Sequence, residues 1–190
     1  MSDAIVIRNQ VIDAVKSGQT VDTSIFSKFG KDISFYHRKQ LTLGNAVIPT
    51  TEFFTENVDN LVSNLGKGGA VSAPFLAKAV SMSIWIKGAV TLAKLYDLIE
   101  TMKGSRYYHL RDNDRVIDFS TECLFEIDQV VAGATDTANA AIGIKTKMKP
   151  VNGSLVFVPD NIFKGYFDAP ALSATLAVEV TPQIHGLILR

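Results

Sequence analysis

Residues 174–189 read ATLAVEVTPQIHGLIL, and this stretch decides the fold class. From Ala174 to Thr181, Leu176, Val178 and Val180 alternate with Thr175, Ala177 and Glu179. A period of two turns one face of a strand into a core and leaves the other to water or a neighbour. Pro182 has no amide donor, so it is expected to interrupt the ladder, with a further strand resuming over Ile184 to Leu189. Ile184, Leu187, Ile188 and Leu189 are too apolar for a free tail, since burying even two such side chains is worth roughly 3 to 6 kcal/mol.

Working back from there, the same β-branched and aromatic character runs to Tyr107. Phe119, Thr121, Cys123, Phe125 and Ile127 form one face against Ser120, Glu122, Glu126 and Asp128, which predicts a half-wet antiparallel strand with Cys123 buried and chemically quiet. Further strands are expected at Ala140 to Met148 and Leu155 to Val158, with turns at Asn152-Gly153 and Pro159-Asp160-Asn161. This density of short strands predicts a β-rich core over residues 107–190, built as a mainly antiparallel sandwich or barrel.

The N-terminal half reads differently. Ser2 or Asp3 can cap a helix whose apolar residues Ala4, Ile7, Val11 and Val15 fall on one stripe, and Gly18 ends it. A helix this short is not stable alone. Residues 1–18 are therefore expected to dock on the body of the protein or on a neighbouring subunit. Ile33 to Phe35 and Gln40 to Ile48 read as extended, with a turn at Gly44-Asn45. Val58, Leu61, Val62 and Leu65 predict a second helix over Thr55 to Leu65, and Leu92, Leu95, Tyr96, Ile99 and Met102 a third over Ala89 to Met102. Between them, Val80, Met82, Ile84 and Ile86 alternate as a strand. The whole reads as α+β, one domain over residues 1–190, with no internal repeat and no linker.

Composition excludes several classes of function. With 47% hydrophobic and 20% charged residues the chain of 190 can bury a normal core, which excludes a mainly disordered protein. Lys+Arg and Asp+Glu are 19 each, so there is no net field to hold nucleic acid or an anionic membrane. One cysteine rules out an internal disulfide and a multi-thiolate zinc site. The start, Met1-Ser2-Asp3-Ala4, has no basic region before an apolar run, so no signal peptide is expected and synthesis is read as cytoplasmic. The most apolar region, Ala70 to Ile99, is interrupted by Lys78, Lys87, Lys94 and Asp97, so no membrane span or membrane partner is expected.

No motif carries chemistry outright. His37, His109 and His185 lie far apart, and none has a second His or Cys at ligand spacing. Asp112, Asp114 and Asp118 share the first spacings of a calcium loop, yet Ile117 stands where that loop needs Gly and Cys123 where it needs Glu, so a solvated turn with local ion pairs to Arg111 and Arg115 is expected. Gly66-Lys67-Gly68-Gly69 matches neither nucleotide fingerprint. No cofactor is expected.

Two stretches look able to interact. Arg106, Tyr107, Tyr108 and Arg111 combine cations with π-faces, as a stacking surface does, or else begin a strand whose Arg stems cover half-buried rings. Lys145, Lys147 and Lys149 recur with a period of two, which places three ammonium groups on one strand face, to meet an acidic partner or to guard an edge. The Ala-, Val- and Thr-rich strands with Asn, Gly and Pro turns resemble small viral or phage virion proteins in composition. The leading expectation is a non-enzymatic subunit that assembles with itself, and with other structural proteins, as a virion coat, tube or decoration. The alternatives are a nucleic-acid-binding or transport protein using Arg106 to Arg115 and the lysine face, and an enzyme with a dispersed site near His109 and Asp112.

Overall fold

The computed structural model describes residues 3–44, 50–55, 63–65, 69–87, 91–131, 141–161, 163–172 and 175–189; of 127–131 and 141–145 it describes the backbone alone. The fold is α+β, with antiparallel sheets that do not close into a barrel among these residues. Its centre is the stretch over residues 176–189. Strand β11 (Leu176–Leu189) runs unbroken for 14 residues. On one side it pairs with β4 (Phe75–Ile86); on the other, first β2 (Lys39–Leu43) and then β1 (Gly30–Tyr36) lie along it. Strand β9 (Lys149–Phe157) adds to β4 and completes a five-stranded sheet.

The expected break at Pro182 falls on its neighbour instead. Strands β1 and β2 meet β11 in one register, and what separates them is His37 and Arg38, with His37 opposite Pro182. The His37 amide donates to the Pro182 carbonyl at 3.3 Å. In a strand the N–H and C=O of one residue point to the same side. The missing Pro182 donor therefore faces His37, where it opens the edge strand and leaves the ladder to β4 intact.

A second, four-stranded sheet has the order β3 (Thr51–Phe53), β10 (Lys164–Asp168), β5 (Arg106–Arg111), β6 (Asp114–Ser120). Its β5–β6 hairpin turns through Asp112 and Asn113, both in the left-handed region with φ of 49° and 75°, a two-residue turn that Asp and Asn adopt most readily. Asp112 is thus a turn residue, as its surroundings in the sequence suggest. Strands β7 (Phe125–Val131) and β8 (Ala141–Thr146) pair with each other in a separate ribbon.

One continuous core takes side chains from both larger sheets, among them Phe35, Phe75, Val80, Val180 and Ile184 from the first and Phe53, Tyr107, Ile117 and Phe167 from the second. A smaller cluster of Val11, Phe26, Leu76, Val156, Leu187 and Leu189 lies under the first two helices. Helix α1 (Asp3–Lys16) buries Val11 there, with Ile7 and Val15 packed at the margin, so its apolar stripe is occupied by the chain's own sheet. Helix α2 (Ser24–Phe29), which the sequence reading missed, buries Phe26 beside it. At six residues it is too short to show a periodic stripe. Helix α3 (Leu92–Gly104) is the expected third helix, capped by the Thr91 side chain on the Lys94 amide at 3.3 Å and buried through Leu95, Leu98, Thr101 and Met102. The helix read over Thr55 to Leu65 lies largely outside the described residues. Its end is not helical, because Ser63 forms a bridge with His37.

Three other expectations are corrected. The strand read over Phe119 to Ile127 is cut by a 3-10 turn at Thr121–Leu124. The Thr121 hydroxyl donates to the Met102 carbonyl in the last turn of α3 and to that of Ser105 just past its end, and this pulls the chain out of the ladder. Cys123 is exposed in consequence. The turn read at Asn152-Gly153 is a bulge inside β9, with Gly153 at φ 79° and the pairing to β4 shifting past it. The strand read over Val80 to Ile86 is present as part of β4, which lies between β9 and β11 in the larger sheet. No helix among the described residues is long and apolar enough to cross a membrane.

Candidate interaction face

The outer face of the four-stranded sheet holds the charged and aromatic residues that stand out in the sequence. Alternation along β5 sends Tyr107 and His109 into the core, and Arg106 and Tyr108 to the other side. Across the strands, Glu52, Tyr166, Tyr108 and Asp118 are register partners in one row. The Tyr108 and Tyr166 rings stack at 5.1 Å and 16°, and the Arg115 guanidinium stands 4.0 Å from the Tyr108 ring. Tyr108 is 8% exposed as a result.

The charges along this row are paired. Arg106 forks onto Asp118, Nε to Oδ1 at 2.5 Å and the terminal nitrogen to Oδ2 at 2.7 Å, and this hydrogen bonding raises the Arg106 pKa further. Arg115 adds a contact to Asp118 at 3.6 Å. At the other end Lys164 lies 3.6 Å from Glu52, whose carboxylate also accepts the Tyr166 hydroxyl at 3.2 Å. Partial burial raises the Tyr166 pKa, and the neighbouring Glu52 charge adds to the shift. Asp168, the register partner of Arg106, keeps Oδ1 buried without a hydrogen-bond partner. Three cations and three carboxylates therefore surround one stacked pair of rings.

The other residues singled out in the sequence fall elsewhere. Tyr107 is fully buried, its hydroxyl 3.3 Å from His109 Nδ1, and burial drives its pKa upward. It contributes nothing to a surface. Arg111 points away to the Val156 carbonyl at 3.5 Å and lines a cleft of about 600 Å³, where Lys16 pairs with Asp160 at 2.5 Å. Ile7, Val11 and Val15 are consumed under α1. The three lysines do not share a strand face: Lys145 lies in β8, Lys147 between strands and 3.3 Å from Glu126, and Lys149 opens β9 in a different sheet. The period of two fails because the chain changes sheets between Thr146 and Lys149.

His109 and Asp112 are not brought together. His109 is enclosed, with Phe163, Phe157 and Phe54 at ring distances of 4.5, 5.4 and 5.7 Å; burial pushes its pKa down to about 3 and leaves Nε2 without a partner. Asp112 sits at the hairpin tip and accepts from the Asn161 amide at 2.8 Å. No group of three potential metal ligands occurs among the described residues.

Glu52, Lys164 and Tyr166 escaped the sequence reading. The alternation of Lys164, Tyr166 and Asp168 with Gly165 and Phe167 is the signal that could have found them. Gly165 belongs to that pattern, because a Cβ there would lie 2.4 Å from the Tyr107 hydroxyl. In comparisons with known proteins, no family model matches the chain, and neither a curated protein nor a solved structure matches it.

Proposed function

We propose that the chain is a non-enzymatic structural subunit that assembles with copies of itself, of the kind that forms a virion coat, tube or decoration, and that its two larger sheets pack as a sandwich. The sandwich reading is supported by the single core to which both sheets contribute. The assembly reading is carried by the outer face of the four-stranded sheet. Arg106, Arg115 and Lys164 there stand among Glu52, Asp118 and Asp168, so a second copy related by a two-fold axis can set its cations against these carboxylates and its carboxylates against these cations. Tyr and Arg are also the side chains that most often anchor protein interfaces. Phosphates fit this face less well, because the positive charges of Arg106, Arg115 and Lys164 are balanced there by Glu52, Asp118 and Asp168, which leaves no net positive charge for a phosphate.

The test is the mass of the purified protein by light scattering over a range of concentrations. A multimer or particle is expected, and Tyr166→Ala or Arg115→Glu is expected to shift it toward monomer without loss of secondary structure. A protein that is monomeric at every concentration would sink the reading. Retention on single-stranded DNA that falls steeply with salt would favour the nucleic-acid alternative, since phosphate contacts release counterions.

A further inference from the structure

Among the described residues, helices cover the outer face of the five-stranded sheet at one end only. Helices α1 and α2 lie over Leu76, Leu187 and Leu189, while at the opposite end the same face of β11 and β4 carries Glu179 and Trp85. Between the two ends, His185 is held by hydroxyls on both ring nitrogens, Ser34 Oγ to Nδ1 and Ser81 Oγ to Nε2, each at 2.7 Å, which links three adjacent strands. At the open end Gln40, Glu179 and Trp85 are register partners across β2, β11 and β4.

Trp85 is the chain's single tryptophan, and it is 65% exposed on this face. Beside it the Glu179 carboxylate, 13% exposed, is shared by Lys87 Nζ at 2.9 Å and Arg38 Nε at 3.4 Å, with both cations about half exposed. Two cations on one carboxylate leave one positive charge unanswered within this group. The other near positions are small or uncharged and polar: Ala177, Ser83, Thr42 and Gln40.

That combination points to one class of ligand. A protein interface of ordinary size needs several apolar anchors and few charges at its centre, and here one indole stands among hydroxyls, amides and ions. A sugar ring presents a C–H face that packs on an indole and a rim of hydroxyls that needs mixed donors and acceptors. The unanswered cation adds a preference for a carboxylate on that sugar. We propose that this end of the sheet binds an acidic saccharide, its ring on Trp85 and its carboxylate taken by Arg38 and Lys87. Uronic and sialic acid residues share this chemistry.

Because Trp85 is the only indole, its fluorescence reports on the site directly in the full chain. The protein is titrated with an oligogalacturonate, with sialyllactose and with lactose. A saturable change is expected with one of the two acidic sugars, and affinity for neutral lactose about tenfold weaker or worse; which acid responds tells the two sources apart. Arg38→Gln and Lys87→Gln retain the reporter and are expected to weaken binding about tenfold, while Trp85→Ala abolishes the heat of binding in calorimetry. The proposal is overturned if neither acidic sugar gives a saturable response, or if lactose matches them. It is equally overturned if the fluorescence follows protein concentration together with a doubling of mass, which would make the face a contact between copies. Because Trp85 lies on the five-stranded sheet, this outcome is independent of whether Tyr166 and Arg115 mediate assembly.

Discussion

His37 and His109 are both held neutral inside the fold, and this sets how the protein responds to acid. The His37 Nδ1 accepts the Phe54 amide at 2.9 Å, which helps hold Phe54 at a φ of 59°, a left-handed conformation rare for an aromatic residue. Burial, with a smaller contribution from Lys39, pushes its pKa down to about 4, and burial pushes that of His109 down to about 3. Both titrate near 6.5 in an unfolded chain. Below about pH 6.5 the unfolded state therefore takes up protons that the folded state refuses. Stability is fully present above that pH and is lost as pH falls toward 4 for His37 and 3 for His109, at ~1.4 kcal/mol per pH unit for each. The urea midpoint should drop between pH 7 and pH 5, and less steeply in His37→Gln, which offers the Phe54 amide an acceptor that does not titrate. Equal slopes in the two proteins would show that His37 is not responsible. Cys123, by contrast, is exposed on the 3-10 turn, so a thiol reagent should label it in native buffer nearly as fast as in denaturant; strong protection would contradict that turn.

At the scale of elements, the close approach of β11 to β4 rests on one glycine. At Gly186 the register between the strands shifts by one residue, and a Cβ there would lie 2.0 Å from the Leu76 carbonyl and 2.7 Å from the Phe75 ring. Gly186→Ala must push two central strands apart and should lower stability by roughly 3 kcal/mol, read as a lower urea midpoint. A midpoint within error of the parent protein would mean the sheet yields more easily than its packing implies. Strands β4 and β11 were legible because they alternate, and α3 carries a stripe, a cap and a stop, whereas β10 alternates over only five residues and escaped notice. What misled the reading was chemistry supplied from elsewhere in the chain. Thr121 looks like a strand residue until the carbonyls at the end of α3 claim its hydroxyl. Asn152-Gly153 looks like a hairpin turn until β4 holds both sides of it in one strand.

For the whole molecule, β11 is the strand on which the larger sheet depends, since residues 183–189 pair with β1 while 178–188 pair with β4. Removing residues 183–190 strips β1 of its partner and uncovers both the main core at Ile184 and Ile188 and the smaller cluster at Leu187 and Leu189. Insoluble or aggregated protein is expected, and a soluble, folded truncation would show that the segment is dispensable. The sequence by itself determined that the chain has a β-rich core, that its N-terminal helix must dock its stripe on something, and that no global charge directs it to nucleic acid. Those properties follow from local periodicity and composition, which one stretch of chain carries alone. Only the tertiary structure decided that the helix docks on its own sheet, that Pro182 opens the neighbouring strand instead of its own, and that Tyr108 finds Tyr166 while Trp85 finds Glu179. Each of these is a contact between residues distant in sequence, set by strand order and register, which alternation along a single strand does not encode.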